Sequence, residues 1–252
     1  MAAGEDWRIA EEARPRPGDL GYDLDAALSA VAGLRARVPP DAHTAETLGT
    51  ERDGSAVLVR EDGLFLTVSY LVTEAEEVWL TTADGRAVPA HAVGFDGASG
   101  LGLVQALGRF DARPLRIADA SGPEAATGAG VVVASGPGAR RASLAARVAA
   151  RQAFAGYWEY LLEDAIFTAP AHPRWGGAAV LGASGALVGV GSLRLGHDAG
   201  GGRVSPLNMA VPAARIGPAL DDLLATGRPG GPARPWLGLY AAEAEGGEVG
   251  AG

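Results

Sequence analysis

The stretch "GSAVLVREDGLFLTVSYLV", Gly54 to Val72, holds two apolar runs on either side of Glu61-Asp62-Gly63. Runs rich in valine, leucine and phenylalanine, joined by an acidic-glycine turn, are the signature of a β-hairpin. The same pattern recurs outward from it. "EVWLTTADGRAVPAHAVGFD" (77–96) turns at Asp84-Gly85, and "LGLVQAL" (101–107) follows as a further strand. A Pro/Gly-rich connection, Ala118 to Gly130, separates two halves. Beyond it "GAGVVVASGPG" (128–138), "ASLAARVAARQAF" (142–154), "GAAVLGASGALVGVGSL" (177–193) and "LNMAVP" (207–212) are strand candidates divided by glycine turns. Many short strands in two halves predict a pair of small barrels.

Helical spacing is confined to the flanks. In "GYDLDAALSAVAGLRARVPP" (21–40), Leu24, Leu28, Val31 and Leu34 recur at helical intervals, Asp23 is a cap, and Pro39-Pro40 are the stop. In "AARIGPALDDLLATG" (213–227), Ile216, Leu220, Leu223 and Leu224 share a face that closes at Gly227. "GYWEYLLED" (156–164) reads as a polar-aromatic helix or loop with Glu163 and Asp164 on a solvated rim.

Composition excludes several functions. The 38 glycines and 16 prolines among 252 residues favour strands and turns over a helix bundle. A net charge of -9 argues against nucleic acid, which needs a basic surface, and against an anionic membrane. With no cysteine there is no disulfide framework, zinc-thiolate site or thiol nucleophile. No apolar run is long enough to span a bilayer. The opening "MAAGEDWRIAEEARPRPGD" carries acids and lacks the apolar segment of a secretory signal, so a cytoplasmic protein is expected.

The order of these pieces resembles the trypsin-like proteases of the high-temperature-requirement (HtrA) family, from about Gly49 onward. Gly54 and Ser55 fall at that family's glycine-serine position, "ADGRAVPAHAVGFD" is similar to its D-G-x-x-x-x-A-x-x-x-x-x-D segment, and "GAGVVVASGPG" ends in its G-x-P-x-G turn. "SGALVGVGS" and "NMAVP" resemble the strand after the catalytic serine and the F-A-I-P signature. "RPWLGL" (234–239) is similar to the first strand of a following PDZ domain. The resemblance implies an all-β fold, a trypsin-like double six-stranded β-barrel with N- and C-terminal helices. It divides the chain into an extension with an amphipathic helix (1–48), a first barrel (49–118), a second barrel with a C-terminal helix (119–228), and a linker that starts a truncated PDZ domain (229–252).

It also implies where a serine protease would keep its chemistry. Such an enzyme needs a serine nucleophile, a histidine base and a carboxylate that orients the histidine. The family's histidine follows T-N-N; here Thr67, Val68 and Ser69 lead to Tyr70. A phenol titrates near pH 10, too high for an imidazole-type base. The aspartate position is Gly100, four residues after Asp96, and the position before the glycine pair Gly176-Gly177 is Trp175 instead of serine. The oxyanion hole loses a donor because Pro173, two residues before Trp175, has no N–H. One lost donor typically costs on the order of 100- to 1,000-fold in rate.

No other set of residues completes a site. His91 and His197 are expected in solvent, His43 in the approach to the first barrel, and His172 near the cleft without nearby partners for a metal. Ser69 is expected to point away from Tyr70 on a strand. No cofactor and no metal are implied. The reading is a catalytically inactive HtrA-like pseudoprotease that binds a peptide or protein partner, with a homo-oligomer left open. Tyr70 and Trp175 are expected to meet as rings between the barrels. The alternative is an active serine endopeptidase with a rearranged site.

Overall fold

The computed structural model describes residues 9–119, 122–156, 161–198 and 204–232. β1 (Val31–Arg37), β2 (Glu51–Leu58), β3 (Leu64–Val68), β4 (Glu77–Thr81), β5 (Ala87–Asp96) and β6 (Leu101–Ala106) close a first barrel in the order β1-β2-β3-β6-β5-β4. β7 (Gly130–Ala134), β8 (Ser143–Ala155), β9 (Leu161–Ala169), β10 (Ala179–Leu181), β11 (Leu187–Asp198) and β12 (Val204–Pro212) close a second as β10-β11-β12-β9-β8-β7. Read from its own first strand, each barrel has the same connectivity, and every strand pairing is antiparallel. The all-β double six-stranded barrel is the fold of this chain. Closure gives every strand of each barrel two hydrogen-bonded neighbours.

The first helix is much shorter than its spacing suggests. α1 (Leu24–Ser29) is capped by the Asp23 carboxylate, which accepts the Ala26 N–H at 3.1 Å. From Val31 the chain is strand β1, in register from Val31↔Val57 to Arg37↔Glu51. Leu34 fits both a helical and a two-residue period, but the run Leu34-Arg35-Ala36-Arg37 alternates strictly, with Leu34 and Ala36 buried and both arginines exposed. The arginines face acids across the strand pair, Arg35 to Asp53 at 3.1 Å and Arg37 to Glu51 at 3.2 Å. Six closed strands need this segment as their first member, and that packing outweighs a weak local helical preference. The first barrel therefore begins at Val31, inside the segment 1–48 that the resemblance gave to an extension.

Two further segments differ from their sequence reading. Leu161-Leu162-Glu163-Asp164 is not helix or loop but the start of β9. Asp164 there is no solvated rim: it binds Arg151 at 2.9 Å and Arg215 at 3.0 Å, pinning the strand on both sides. Ser69 does not continue β3; it opens a one-turn helix, α3 (Ser69–Val72), after α2 (Ala45–Leu48) earlier in the chain.

α4 (Gly217–Thr226) ends at Gly227, whose φ of 75° favours glycine and whose N–H caps Leu223. Leu223 is fully buried, whereas Leu224 is 37% exposed, so Ala219 takes a place on the buried stripe that spacing gave to leucine. The helix crosses back to the first barrel, where a side chain at Gly94 would overlap the Gly227 carbonyl. The larger of two apolar clusters runs through both barrels, from Leu24 and Phe65 to Leu181 and Met209, and the smaller, around Val133, Ile166 and Val180, belongs to the second. The PDZ-like "RPWLGL" lies outside the described residues.

Candidate active-site region

The two barrels meet along β2. Ser55 donates its N–H to the Gly176 carbonyl at 2.9 Å, and its hydroxyl accepts the Gly136 N–H at 2.9 Å. Gly177 has a φ of 74°, and a Cβ there would overlap the Ser55 carbonyl, so only glycine allows the turn to seat this closely. The turn is closed by Ala178 N–H to the Trp175 carbonyl at 3.0 Å and tied to β11 by Gly177 N–H to the Gly191 carbonyl at 2.8 Å. The glycine pair thus serves the docking of the barrels, independently of any catalysis.

Tyr70 approaches from the first barrel. α3 starts where Ser69 donates its N–H to the Gly100 carbonyl at 2.8 Å, so Gly100 lies beside the tyrosine's own turn. The Tyr70 hydroxyl crosses the seam and donates to the Ser192 carbonyl at 2.7 Å. Ser192 is fully buried at the point where the β11–β12 register shifts, between Gly191 and Leu193. On the way the phenol lies over Gly176, where an added Cβ would stand 3.1 Å from its oxygen. Tyr70, Gly100 and the Trp175 turn are therefore neighbours across the seam.

The expected ring contact is not formed. Among the described residues the ring pairs are Phe65–Phe110, with centroids 4.8 Å apart, and Phe154–Phe167 at 5.9 Å; Tyr70–Trp175 is not one of them. Trp175 is half-buried, and its backbone carbonyl faces Gly191 so closely that a side chain there would overlap it. Tyr70 crosses the seam through its hydroxyl bond, without a ring contact to Trp175.

Sequence reasoning missed Arg52, which holds Tyr70 in place. Its side chain is 4% exposed, on an inward position of β2. The guanidinium donates to the carbonyls of Tyr70 at 2.7 Å, Thr73 at 2.8 Å and Gly49 at 3.2 Å, and to the Thr44 hydroxyl at 2.7 Å. Burial pulls its pKa down, and the charge of Glu74 opposes that. Glu74 accepts from the Thr44 hydroxyl at 2.6 Å and from the backbone N–H groups of Thr44 and His43, which hold its carboxyl below the usual range. The signal in the sequence is an arginine on the inward phase of a strand whose neighbours Glu51 and Asp53 point outward.

His172 is a structural residue. It is fully buried, its Nδ1 accepts the Arg174 N–H at 3.0 Å, and its Nε2–H donates to the Ala142 carbonyl at 3.1 Å. Its backbone N–H and carbonyl pair with the Asn208 side chain. Burial pushes its pKa down to about 4. Both ring nitrogens are engaged, so it offers no lone pair to the cleft. His43 and His91 are exposed, while the His197 side chain lies outside the described residues. Among the described residues no three metal-ligating side chains converge.

Two six-stranded barrels that meet at a seam between a glycine turn and a short helix have the architecture of trypsin-like peptidase domains. Residues 54–190 match the family described as trypsin-like peptidase domain, and the chain belongs to it. Similar solved structures include the HtrA-type protease AlgW with tripeptide, 20% identical with a TM-score of 0.62, covering 82% of this chain and 65% of that one. The same protease with decapeptide is 20% identical with a TM-score of 0.61, covering 82% of this chain and 69% of that one. The fold is the trypsin-like fold of HtrA-type proteases, and the chain spans about two thirds of their length. No curated protein sequence matches it.

Proposed function

We propose that this chain is a pseudoprotease, a trypsin-like domain that binds a peptide or protein partner and does not hydrolyse it. The observation that carries this reading is the Tyr70–Ser192 bond across the seam. A phenol that is anchored at both ends occupies the place where a base would need freedom to exchange protons. The remaining groups offer no substitute. Ser69 is buried, with its carbonyl bound by both the N–H and the hydroxyl of Thr73. His172 is held neutral with both nitrogens occupied, Gly100 has no carboxylate, and Pro173 has no N–H for an oxyanion.

The peptide partner is supported by the AlgW structures, which are described with a tripeptide and a decapeptide. The decisive experiment is reaction of the purified chain with a serine-directed fluorophosphonate probe, alongside casein hydrolysis at neutral pH. No labelling and no turnover are expected. Labelling abolished by Ser69→Ala, or turnover abolished by His172→Ala, would establish a rearranged active site and overturn the reading.

A further inference from the structure

On the outer face of the first barrel lies an open trough of about 550 Å³, floored by β1, β2 and β4 and bounded by Pro137 and Arg174 from the second barrel. Its floor is a ladder of opposed charges in strand register. Asp53, Arg35 and Trp79 form one rung, and Glu51, Arg37 and Glu77 the next. Arg35 is committed to Asp53 at 3.1 Å and Arg37 to Glu51 at 3.2 Å. Arg174 is partly buried, which lowers its pKa, and the charge of Asp53 opposes that. Each cation of the trough thus faces an acid. Glu77 remains: among the described residues its carboxylate has no ion pair and no hydrogen bond.

Trp79 stands two residues from Glu77 on the same face of β4, which places the two side chains roughly 7 Å apart along the strand. The indole is 45% exposed, an unusual amount for a tryptophan in a strand that buries both of its neighbours, Val78 and Leu80. An exposed indole face beside an unpaired carboxylate suits one chemistry. The stem or head of a lysine or arginine lies on the ring, and its terminal N–H groups reach the carboxylate. An anion finds no such place, because the arginines already have acid partners. The net charge of -9 attracts a cationic partner from a distance.

We propose that this trough docks an extended peptide that presents a lysine or arginine, with the cation on Trp79 and its head paired to Glu77. The peptide runs along the open floor, and Pro137 and Arg174 wall one side. The site is separate from the Tyr70 seam, and it stands whether or not that seam is catalytic.

The test uses the full chain and a fluorescein-labelled decapeptide of alternating serine and arginine, read by anisotropy at moderate salt. Saturable binding is expected, weakened about fivefold or more by Glu77→Gln and by Trp79→Ala. Both positions are exposed, so the variants are expected to melt as the parent does. Glu61→Gln removes the same charge from the distant β2–β3 turn and is expected to change affinity less than about twofold. The serine-glutamate counterpart is expected not to bind. Absence of saturable binding, retention of affinity in Glu77→Gln and Trp79→Ala, equal weakening by Glu61→Gln, or equal binding of the acidic peptide would each overturn the proposal.

Discussion

The Tyr70 hydroxyl donates to the Ser192 carbonyl at 2.7 Å, joining the first barrel to a residue 122 positions further along in the second. Ser192 is fully buried, and the phenol is a donor to its carbonyl from the other barrel. Tyr70→Phe keeps the ring and removes only the donor. It is expected to lower stability by about 0.5–1.5 kcal/mol, the net contribution of one intramolecular hydrogen bond. Urea unfolding followed by tryptophan fluorescence measures this, and an unchanged midpoint would show that the bond contributes nothing to holding the barrels together.

Rebuilding a triad is expected to fail on two grounds. The variant Tyr70→His, Gly100→Asp, Trp175→Ser leaves Pro173 without the N–H that an oxyanion needs. It also puts a side chain on Gly100, whose φ is 75°. That left-handed conformation costs a non-glycine residue roughly 1–2 kcal/mol, with aspartate among the more tolerant. Hydrolysis of an activated ester is expected only when Pro173→Gly is added. A burst of acyl-enzyme from the triple variant alone would show that the oxyanion argument is wrong.

What the sequence disclosed and what it hid follow from the range of each interaction. The hairpins at Asp62-Gly63 and Asp84-Gly85 were legible because turn chemistry is local. So was the glycine turn at Gly176-Gly177, though not its part in seating one barrel on the other. β1 was misread because Leu34 satisfies two periods, and only closure of the barrel selects one. β9 was missed for a related reason: Asp164 looks like a surface acid until Arg151 and Arg215, 13 and 51 residues away, arrive to pair with it. At the site, the missing triad groups could be read directly. The partner of Tyr70 in the seam could not, because it is a backbone carbonyl, which has no residue type to recognise.

His172 predicts an acid-sensitive stability. Its pKa in the folded chain is about 4, below the ordinary 6.5, because burial disfavours the charged ring. Above pH 6.5 neither state holds the proton, and the group has no pH effect. Between about 6.5 and 4 the unfolded chain takes up a proton that the folded chain refuses, so stability falls as the pH falls. The loss from this group approaches about 3 kcal/mol and is complete once the pH passes below 4. Ring resonances of His172 are expected to keep the neutral, Nε2–H pattern down to pH 5. An imidazolium signal from this residue in folded protein at pH 6 would contradict the burial argument.

Arg52 gives the sharpest test of how Tyr70 is held. Its guanidinium serves four acceptors at once, the carbonyls of Gly49, Tyr70 and Thr73 and the hydroxyl of Thr44. The planar fork with five N–H donors suits that arrangement, whereas a lysine ammonium has three donors and a different geometry. Arg52→Met keeps much of the volume but orphans carbonyls at the end of α3. It is expected to destabilise by about 2–4 kcal/mol, the range for stranding more than one buried acceptor. Arg52→Lys is expected to recover only part of that loss. The local consequence separates this role from simple core packing. If Arg52 fixes α3, then Arg52→Met should speed amide exchange at Thr73, whose N–H closes the turn onto the Ser69 carbonyl at 2.9 Å, more than at the barrel strand residue Leu66. Equal acceleration at both positions would mean that Arg52 supports the barrel as a whole and does not specifically position Tyr70.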